Sequence, residues 1–455
     1  MDIAGKRVLI VGLGKTGEAV ANFFLSREAK VTISEIKTVE ELGDKARFWK
    51  EMGAAIETGK HSLRTFLNAE LIIPSPGVAS LPELEAAKKA GIKVISEIEL
   101  AFHFLTGKIV GITGTNGKST TATLAHKILK EAGLKAYLSG NIGTPLISFV
   151  DKSRADHIYV TEISSFQLEH IDRFKADISV FLNISLNHLD WHASFTDYYI
   201  TKKKLVLSQG KEDIAILNRD DRLVWTLAKE SKPKVYAFSS RKEVRRGCFL
   251  KEGWIVLRDE GEEKLLRTSD VPLPGLHNQE NVMAAALVGH RLGVSPRHMR
   301  SSVKTFTGLE HRLEKVLTVR RVDFINDSKA TTVDATIKAL RSFDKKIVLI
   351  LGGRDKGADF TQLRKPVREK VKKVVLLGEA KEKIKNSLRS VVPIEEAASL
   401  REAVSLSFAS ASPGEMVLLA PACTSFDMFK NFEARGRAFK REIWKLKERI
   451  DEERR

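Results

Sequence analysis

The amino-acid sequence predicts an α/β protein of three domains. Three stretches of the chain alternate short apolar runs with segments of helical spacing, which is typical of parallel sheets covered by helices. Two of these stretches carry a glycine-rich loop directly after an apolar run, and 455 residues are too many for one core. We expect a Rossmann-like domain at 1–100, a central P-loop-type parallel sheet with flanking helices at 101–308, and a second Rossmann-like domain at 309–455.

The composition is that of a globular protein without a membrane span. Hydrophobic residues make up 43% of the chain, but no run is long enough to cross a bilayer. The N-terminus leads almost directly into a strand, so no signal peptide is expected. Two cysteines, Cys248 and Cys423, are too few for a disulfide framework and favour a reducing cytoplasm.

The net charge of +18 raises the question of nucleic-acid binding. It comes from 76 basic and 58 acidic side chains. The basic residues are dispersed along the chain and are not interleaved with aromatic residues, which does not favour a nucleic-acid surface. We therefore expect no nucleic-acid partner and a basic surface that tolerates anionic small molecules.

The first domain begins with a dinucleotide-type loop. A strand over residues 7–11 is followed by Gly12, Gly14 and Gly17 in the pattern G-x-G-x-x-G, and then by a helix. The next strand ends at Glu35, about 20 residues on, where an acid contacts a ribose in dinucleotide-binding folds. Further strands are expected at 71–73 and 94–95. Taken alone, these features predict an NAD(P)-linked enzyme.

The second domain begins with a phosphate loop. The apolar run 109–112 predicts a strand, Gly114–Ser119 a loop, and the pattern after it a helix. Such a loop offers backbone N–H groups to phosphates, a lysine (Lys118) to the outer phosphates and a hydroxyl (Ser119) to Mg²⁺. The first glycine of the common motif would fall at Ile112, so the strict pattern fails. The alternative is a glycine turn beside a surface lysine.

Acidic and imidazole side chains follow the next strands of this domain. Glu162 ends the strand predicted at 157–160, where a carboxylate beside a phosphate loop usually serves Mg²⁺; a surface carboxylate is the alternative. The strand at 178–182 leads to His188, at the edge of the sheet where ligands bind. A lone histidine is more often structural, so that alternative remains open there.

Two helices of this domain carry polar candidates. The helix around 197–205 contains Lys202, Lys203 and Lys204, which most simply form a solvated face. Asn278 and Asn281 lie one turn apart at the start of an alanine-rich helix and suit amide contacts to a base. For Asn278 the alternative is an N-cap.

The third domain alternates strands and helices again, after a linker at 309–314. Its strands are expected at 322–325, 346–351, 374–377 and 416–419. Three of them end in polar or glycine-bearing sequence, at 326–331, 352–357 and 421–426. The tail from Lys440 onward is expected to be a charged helix that packs locally.

Taken together, these motifs resemble the Mur ligase family. The motifs are Gly114–Thr120, Gly140–Gly143, Glu162–Leu168, Asn187–Asp190, His277 and Asn278 with Asn281, and His311–Arg312. The stretches 326–331 and 421–433 are similar to those of the D-glutamate-adding members. The likeness runs from Val8 to Gly436, and it accounts for the unusual loop, because the family's loop is Gly-Thr-x-Gly-Lys-Ser/Thr.

The resemblance implies ATP-driven amide synthesis in peptidoglycan precursor formation. A substrate carboxylate attacks the γ-phosphate of ATP, and the amine of an amino acid then displaces phosphate from the acyl phosphate. The implied substrates are UDP-N-acetylmuramoyl-L-alanine, D-glutamate and ATP, the implied metal is Mg²⁺, and a cytoplasmic monomer is expected. Closure of the domains would exclude water from the acyl phosphate.

The resemblance also implies a role for particular residues. The implied catalytic residues are Lys118, Glu162, His188 and Lys202. The ATP contacts are Gly114, Thr115, Asn116, Gly117, Lys118, Ser119, Thr120, Asn278, Asn281, Arg312, Asp327 and Lys329. The UDP-substrate contacts are Gly14, Lys15, Thr16, Glu35 and Asn141. The D-glutamate contacts are Thr331, Lys356, Ser425 and Phe432, and the metal ligands are Ser119, Glu162, His188 and Lys202.

For one lysine the resemblance and the residue pattern disagree. The family carbamylates a lysine in the helix after the histidine, which turns a cation into a metal-binding carboxylate. The spacing from Tyr198 matches Lys202, but Lys203 leaves the register open by one residue. The solvated-face interpretation instead places all three lysines of 202–204 in water.

Three rival functions remain. One is another amino-acid ligase of the superfamily, such as folylpolyglutamate synthase or the diaminopimelate/lysine-adding Mur enzyme, whose Asp-Asn-Pro-Arg type motif is missing from this sequence. Another is an NAD(P)-dependent oxidoreductase, which would leave 114–119 unexplained. The third is an ATP-switched binding protein, which would show no coupled phosphate release.

Overall fold

The computed structural model describes residues 3–78, 81–185, 192 and 194–452. The chain divides into two compact units, residues 1–268 with 280–303, and residues 269–279 with 304–455. The described residues form three sheets, two in the first unit and one in the second. The predicted α/β fold class, with mostly parallel sheets, is confirmed.

The first sheet is wholly parallel, with strand order β3-β2-β1-β4-β5. The central strand is buried on both faces, since Val8 and Ile10 join one apolar cluster and Leu9 and Val11 the other. Its strands are β1 (Arg7–Val11), β2 (Lys30–Glu35), β3 (Ala55–Thr58), β4 (Leu71–Pro74) and β5 (Lys93–Val94). Its helices are α1 (Lys15–Leu25), α2 (Val39–Leu42), α3 (Asp44–Glu51), α4 (Leu63–Asn68), α5 (Pro82–Lys89) and α6 (Glu97–Phe102).

The second sheet has nine strands in the order β14-β13-β12-β11-β10-β9-β6-β8-β7. It is parallel from β7 to β12 and antiparallel from β12 to β14. Its strands are β6 (Lys108–Thr113), β7 (Ala136–Gly140), β8 (Ile158–Glu162), β9 (Ile178–Phe181), β10 (Ile214–Asn218), β11 (Lys234–Ser239), β12 (Gly247–Lys251), β13 (Trp254–Arg258) and β14 (Glu262–Arg267). The helices that follow in the chain are α7 (Lys118–Glu131), α8 (Ser165–Glu169), α9 (Phe195–Leu207), α10 (Arg222–Glu230), α11 (Leu276–Arg291) and α12 (Pro296–Lys304).

The third sheet has the order β15-β16-β20-β17-β18-β19 and is parallel except for the β15–β16 pair. Its strands are β15 (Glu314–Val319), β16 (Val322–Asn326), β17 (Ile347–Gly352), β18 (Val371–Leu377), β19 (Ile394–Glu396) and β20 (Met416–Leu419). Its helices are α13 (Val333–Arg341), α14 (Arg364–Lys370), α15 (Lys381–Leu388), α16 (Leu400–Ser410) and α17 (Phe432–Glu452). Apolar clusters cover both of its faces.

The strands that the sequence predicted are all present, and the extra ones lie mostly toward sheet edges. The antiparallel strands β12 to β14 were not predicted, because they are only five or six residues long and charged and apolar residues mix in them. No helix within the described ranges combines the length and apolarity needed to span a bilayer.

Two buried glutamates on α6 have opposite surroundings. Glu99 accepts backbone N–H groups from Asp172, Arg173 and Phe174 at 2.7–3.1 Å, so its charge is well solvated by dipoles. Glu97 accepts the N–H of Ile147 at 2.7 Å. Its burial outweighs that contact and raises the pKa of Glu97 to about 7.

The raised pKa of Glu97 predicts a pH-dependent stability. Between the unfolded value of 4.5 and about 7, the folded state binds more protons than the unfolded state, so the free energy of unfolding falls as the pH rises. The uncharged variant Glu97→Gln avoids this loss. Relative to the wild type, its free energy of unfolding in urea should rise by on the order of 3 kcal/mol between pH 4.5 and pH 8.

Glu99→Gln is the matched control on the same helix. An amide places an N–H₂ group toward backbone N–H donors, so this variant should lose stability at pH 8. A difference between Glu97→Gln and wild type that stays constant with pH would contradict the burial of a charge at Glu97.

Candidate active site

The ends of neighbouring parallel strands bring the candidate groups of the first unit together. Strands β9, β6 and β8 are adjacent, and Ile112 pairs in register with both Val180 and Glu162. Side chains that follow these strands therefore gather at one edge of the sheet. The phosphate loop, Glu162 and Asn183 all lie at this edge.

The phosphate loop is shaped by two glycines and held by one asparagine. Gly114 and Gly117 have φ angles of +149° and +86°, in the region that favours glycine. Asn183 binds the loop three times. Its carbonyl accepts the N–H of Thr115 and its Oδ1 accepts the N–H of Asn116, both at 2.9 Å, and its Nδ2 donates to the carbonyl of Asn116 at 3.1 Å. Asn183 therefore fixes the shape of the loop from the neighbouring strand, with the N–H groups of Thr115 and Asn116 turned toward it.

The lysine and hydroxyls of the motif lie at the first turn of α7. Lys118 Nζ donates to the loop carbonyls of Gly114 and Thr115 at 2.9 and 3.0 Å, so its charge stays over the loop. Ser119 and Thr120 are buried at the helix N-terminus, where the helix dipole favours an anion. This is the strand-loop-helix context that a triphosphate site requires.

Asn281 packs directly on the phosphate loop. Its Oδ1 accepts from Thr121 Oγ1 at 3.2 Å and occupies the space that a Cβ at position 117 would need. Asn278 lies inside the first turn of α11 and donates to the carbonyl of Pro274 at 2.7 Å. It is therefore not the N-cap of that helix, and that alternative is wrong.

Glu162 is a buried carboxylate with an unused oxygen. Asn141 Nδ2 donates to its Oε1 at 2.9 Å, while Oε2 has no hydrogen-bond partner within the part of the chain that the structure describes. With 2% of its surface exposed, Glu162 cannot be the surface carboxylate that was the alternative. A divalent cation would satisfy the free oxygen. Asn141, expected near the sugar-peptide, also holds this carboxylate.

Lys202 lies in the interior beside the phosphate loop. It is 1% exposed, its Nζ donates to Thr113 Oγ1 at 3.2 Å, and it lies 5.0 Å from the centre of the Tyr198 ring. Burial, reinforced by the charge of Lys118, holds the pKa of Lys202 well below its usual range. Glu162 opposes that shift.

The solvated-face expectation is wrong for Lys202. A helix places consecutive residues 100° apart, so three lysines in a row cannot share one environment. Lys203 is partly exposed with its Nζ 3.8 Å from Glu230, and Lys204 Nζ donates to the carbonyl of Glu169. Among these three lysines, Lys202 is the buried one, which supports the register taken from Tyr198.

His188 and its neighbours in the motif at 187–190 lie outside the described residues. His192, which was not expected to matter, is buried between Phe166 and Tyr198, with Nδ1 3.3 Å from Asp197.

The N-terminal glycine loop is held by the acid predicted to bind a ribose. Glu35 Oε2 accepts the N–H of Leu13 at 2.7 Å, and Oε1 accepts that of Lys37 at 3.2 Å. A Cβ at Gly17 would overlap the carbonyl of Gly12, which explains why this position requires glycine. Above the turn the exposed Gly14, Lys15 and the partly exposed Thr16 leave room for a ligand.

The second unit has its own cluster of candidate residues. Asp327 follows β16 and is buried, which raises its pKa to about 7 against the opposing charge of Arg312. Lys329 Nζ lies 3.9 Å from the centre of the Phe432 ring. The remaining expected contacts are partly exposed (Thr331), buried (Ser425) and exposed on the loop after β17 (Lys356).

Sequence reasoning missed three contributors in the first unit: Thr113, Asn183 and His61. Thr113 donates to the carbonyl of Ile163 at 2.9 Å and accepts from Lys202. Asn183 was visible as a polar residue after a strand, and Thr113 as the last residue before the loop. His61 pairs with Ser34 Oγ at 2.8 Å beside the N-terminal loop, and no sequence pattern signals it.

Family profiles match almost the whole chain. The Mur ligase MurD-like N-terminal domain matches residues 6–96, the Mur ligase middle domain residues 112–289, and the Mur ligase glutamate ligase domain residues 311–423. Two similar proteins are UDP-N-acetylmuramoylalanine--D-glutamate ligases. The one from Koribacter versatilis is 46% identical over 98% of this chain and 99% of its own length, and the one from Thermoanaerobacter sp. is 39% identical over 98% and 100%.

Solved structures support the fold. A pseudomurein peptide ligase type C from Methanothermus fervidus aligns with a TM-score of 0.62 and 18% identity, covering 97% of this chain and 100% of that one. UDP-N-acetylmuramate-alanine ligase from Thermotoga maritima aligns with a TM-score of 0.60 and 19% identity, with the same coverage. MurF ligase from the same organism, solved with ADP, gives 0.58 and 16%, covering 98% of this chain and 96% of that one.

The contact between Asn281 and the phosphate loop predicts the effect of a methyl group at position 117. Gly117→Ala adds a Cβ where Asn281 Oδ1 lies and forces a non-glycine residue to φ +86°. The loop should shift, and the affinity for ATP measured by calorimetry should fall by about tenfold or more.

Gly133→Ala at the other end of α7 is the control. Its φ is +84°, but no atom lies within 4 Å of its added Cβ. It should lose about 1 kcal/mol of stability and keep its ATP affinity. If both variants bound ATP with equal affinity, the contact with Asn281 would not determine the shape of the loop.

Proposed function

The chain belongs to the Mur ligase family, and on this premise we propose that it joins D-glutamate to UDP-N-acetylmuramoyl-L-alanine at the expense of ATP. The observation that carries the chemistry is the buried Lys202 beside Glu162 and the phosphate loop. The substrate follows from relatives that are D-glutamate ligases over nearly their full length. This ligase function leaves no role for the NAD(P)-dependent reaction suggested by the N-terminal glycines.

The reaction has two covalent steps. A carboxylate oxygen of the UDP substrate bonds to the γ-phosphorus of ATP, and the bond to the bridging oxygen breaks to release ADP. The amine of D-glutamate then bonds to the acyl carbon, loses a proton, and phosphate leaves. The first step gathers negative charge at the phosphate loop, so its barrier depends on fixed positive charge there.

The residues of the first unit suit this charge stabilisation. The positive end of α7 and the charge of Lys118, held over a loop that Asn183 braces, would meet the phosphate oxygens. Ser119, the free oxygen of Glu162, His188 and Lys202 would hold Mg²⁺. When bound, the metal neutralises charge on the transferred phosphate. ATP contacts are also assigned to Asn278, Asn281, Arg312, Asp327 and Lys329.

Each domain has a separate task in this proposal. Residues 1–100 bind the uridine diphosphate through the open side of the loop at Gly14, with Glu35 shaping that loop. Residues 101–308 bind ATP. Residues 309–455 bind D-glutamate through the contacts assigned to Thr331, Lys356, Ser425 and Phe432. The enzyme acts as a cytoplasmic monomer.

Phosphate release from ATP tests this function. The wild type with UDP-N-acetylmuramoyl-L-alanine should release phosphate when D-glutamate is added, and far more slowly with L-glutamate, L-lysine or diaminopimelate. Lys118→Ala removes the charge at the phosphate loop and should slow turnover by about a thousandfold. Lys127→Ala, on the same helix but paired with Glu131 at the surface, should stay within about twofold of wild type.

Two results would contradict the proposal. Phosphate release that does not depend on the added amino acid would rule out the ligase reaction. If the Lys118→Ala enzyme kept more than about a tenth of the wild-type turnover, the phosphate loop would not be essential for catalysis.

Lys202 has a separate test. A neutral amine can capture CO₂, and the resulting carbamate is a hard oxygen ligand for Mg²⁺. Lys202→Ala should abolish activity, and acetate should partly restore it by supplying a carboxylate. Carbon-13 NMR of enzyme equilibrated with labelled bicarbonate should show a carbamate signal in wild type and none in Lys202→Ala.

Lys203→Ala and Lys204→Ala are the neighbouring controls and should keep both the activity and the carbamate signal. An inactive, acetate-rescued Lys203→Ala would move the assignment by one residue. Full activity of all three variants would show that no lysine of this run serves the metal.

A further inference from the structure

Arg435 is a buried arginine at the start of the last helix that the proposed mechanism does not use. It lies in the first turn of α17 and is 2% exposed. Its Nε donates to Ser328 Oγ at 3.0 Å, and Nη2 donates to the carbonyls of Ser328 and Cys423 at 2.9 and 3.1 Å. Nη1 donates to the carbonyls of Thr424 and Gly352 at 3.2 and 3.5 Å.

These contacts join three loops that follow three adjacent parallel strands. The sheet order places β16, β20 and β17 side by side. Ser328 follows β16, Cys423 and Thr424 follow β20, and Gly352 ends β17. Ligands of open parallel sheets bind at this edge. The same loops carry Thr331, Ser425 and Lys356, the residues assigned to D-glutamate.

The planar guanidinium is what allows one side chain to hold all three loops. Arginine offers five N–H donors in a fixed fork, whereas lysine offers three at one point. The backbone leaves little spare room, because a Cβ at Gly353 would overlap the carbonyl of Thr424 and lie 3.1 Å from Arg435 Nη1. The separation of the loops is therefore set by this fork.

The charge of Arg435 is not neutralised locally. All of its acceptors are carbonyl or hydroxyl oxygens, and within the described residues no carboxylate lies within ion-pair distance of it. Cys423 and then Asp427 oppose the effect of burial on the pKa of Arg435. Burial lowers the pKa of Arg435 to about 10, so the side chain remains charged at neutral pH. The carbonyl dipoles solvate this charge but do not cancel it, so an anion bound at these loops would still be attracted to it.

We propose that Arg435 is a positioning residue for the amino-acid substrate, which fixes the spacing of the three loops and favours an amino acid with an anionic side chain. This inference rests on the proposed D-glutamate ligase function. A dicarboxylate bound at these loops supplies the negative charge that the protein itself does not provide next to Arg435. The neutral isostere D-glutamine would not supply it.

The test compares Michaelis constants in three variants. Arg435→Met removes the charge and the fork, Arg435→Lys keeps only the charge, and Phe439→Leu removes volume from the buried side of the same helix without touching the loops. Arg435→Met should raise the KM for D-glutamate by about tenfold or more, while the KM for ATP and for the UDP substrate change by less than about twofold.

The two parts of the proposal have separate readouts. Arg435→Lys should raise the KM for D-glutamate, because the fork is lost, yet keep the wild-type preference for D-glutamate over D-glutamine. Arg435→Met should lose that preference. If Arg435→Met does not fold, the Arg435→Lys enzyme decides the role of the fork, and a charge-free Arg435→Gln enzyme decides the preference.

Several outcomes would overturn the proposal. One is that the KM for D-glutamate changes no more in Arg435→Met than in Phe439→Leu, while both variants lose the same thermal stability. Another is an equal rise of all three Michaelis constants, which would indicate a purely structural role. If Arg435→Met or Arg435→Gln kept the wild-type preference for D-glutamate over D-glutamine, the charge of Arg435 would not set that preference. A wild type without D-glutamate-dependent phosphate release would instead overturn the proposed function itself.

Discussion

The active edge of the central sheet depends on how the phosphate loop is held by asparagines. Backbone N–H groups can receive phosphates only if the loop keeps them pointing outward, and an isolated glycine turn has no reason to do so. Asn183 holds the loop from the neighbouring strand, and Asn281 packs on it from α11. The precision of the site therefore comes from residues more than 60 positions away from the loop in sequence.

The distribution of charge around that loop follows the same logic. Lys118 and Lys202 place two amines near one carboxylate, Glu162, which keeps one oxygen free. Such a site would repel Mg²⁺ if both amines were charged. Burial lowers the pKa of Lys202 and so favours its neutral form, and a carbamate would reverse its sign. Under the proposed mechanism, the interior position of Lys202 would turn an apparent obstacle to metal binding into a ligand.

Much of the fold could be predicted, because its signals are local. Apolar runs of four to six residues mark the central parallel strands, and left-handed glycines such as Gly117 mark the turns after them. The environment of Lys202 could not be predicted from the residues alone. Three lysines in a row give no periodic signal, and its partner Thr113 lies 89 residues earlier in the chain. The resemblance to a family identified a position that the pattern had placed in water.

Arg435 shows a second limit of sequence reasoning. In the sequence it looks like one of many charges on a basic helix, and a charged residue at a helix start is ordinarily solvated. Its burial follows from the carbonyls of three loops, which meet only when β16, β20 and β17 lie side by side. Lys202 is buried near Glu162, where burial favours its neutral form, whereas Arg435 stays charged with no carboxylate at ion-pair distance among the described residues. In an enzyme of anionic substrates, a buried charge of the second kind is where a bound substrate can complete the electrostatics.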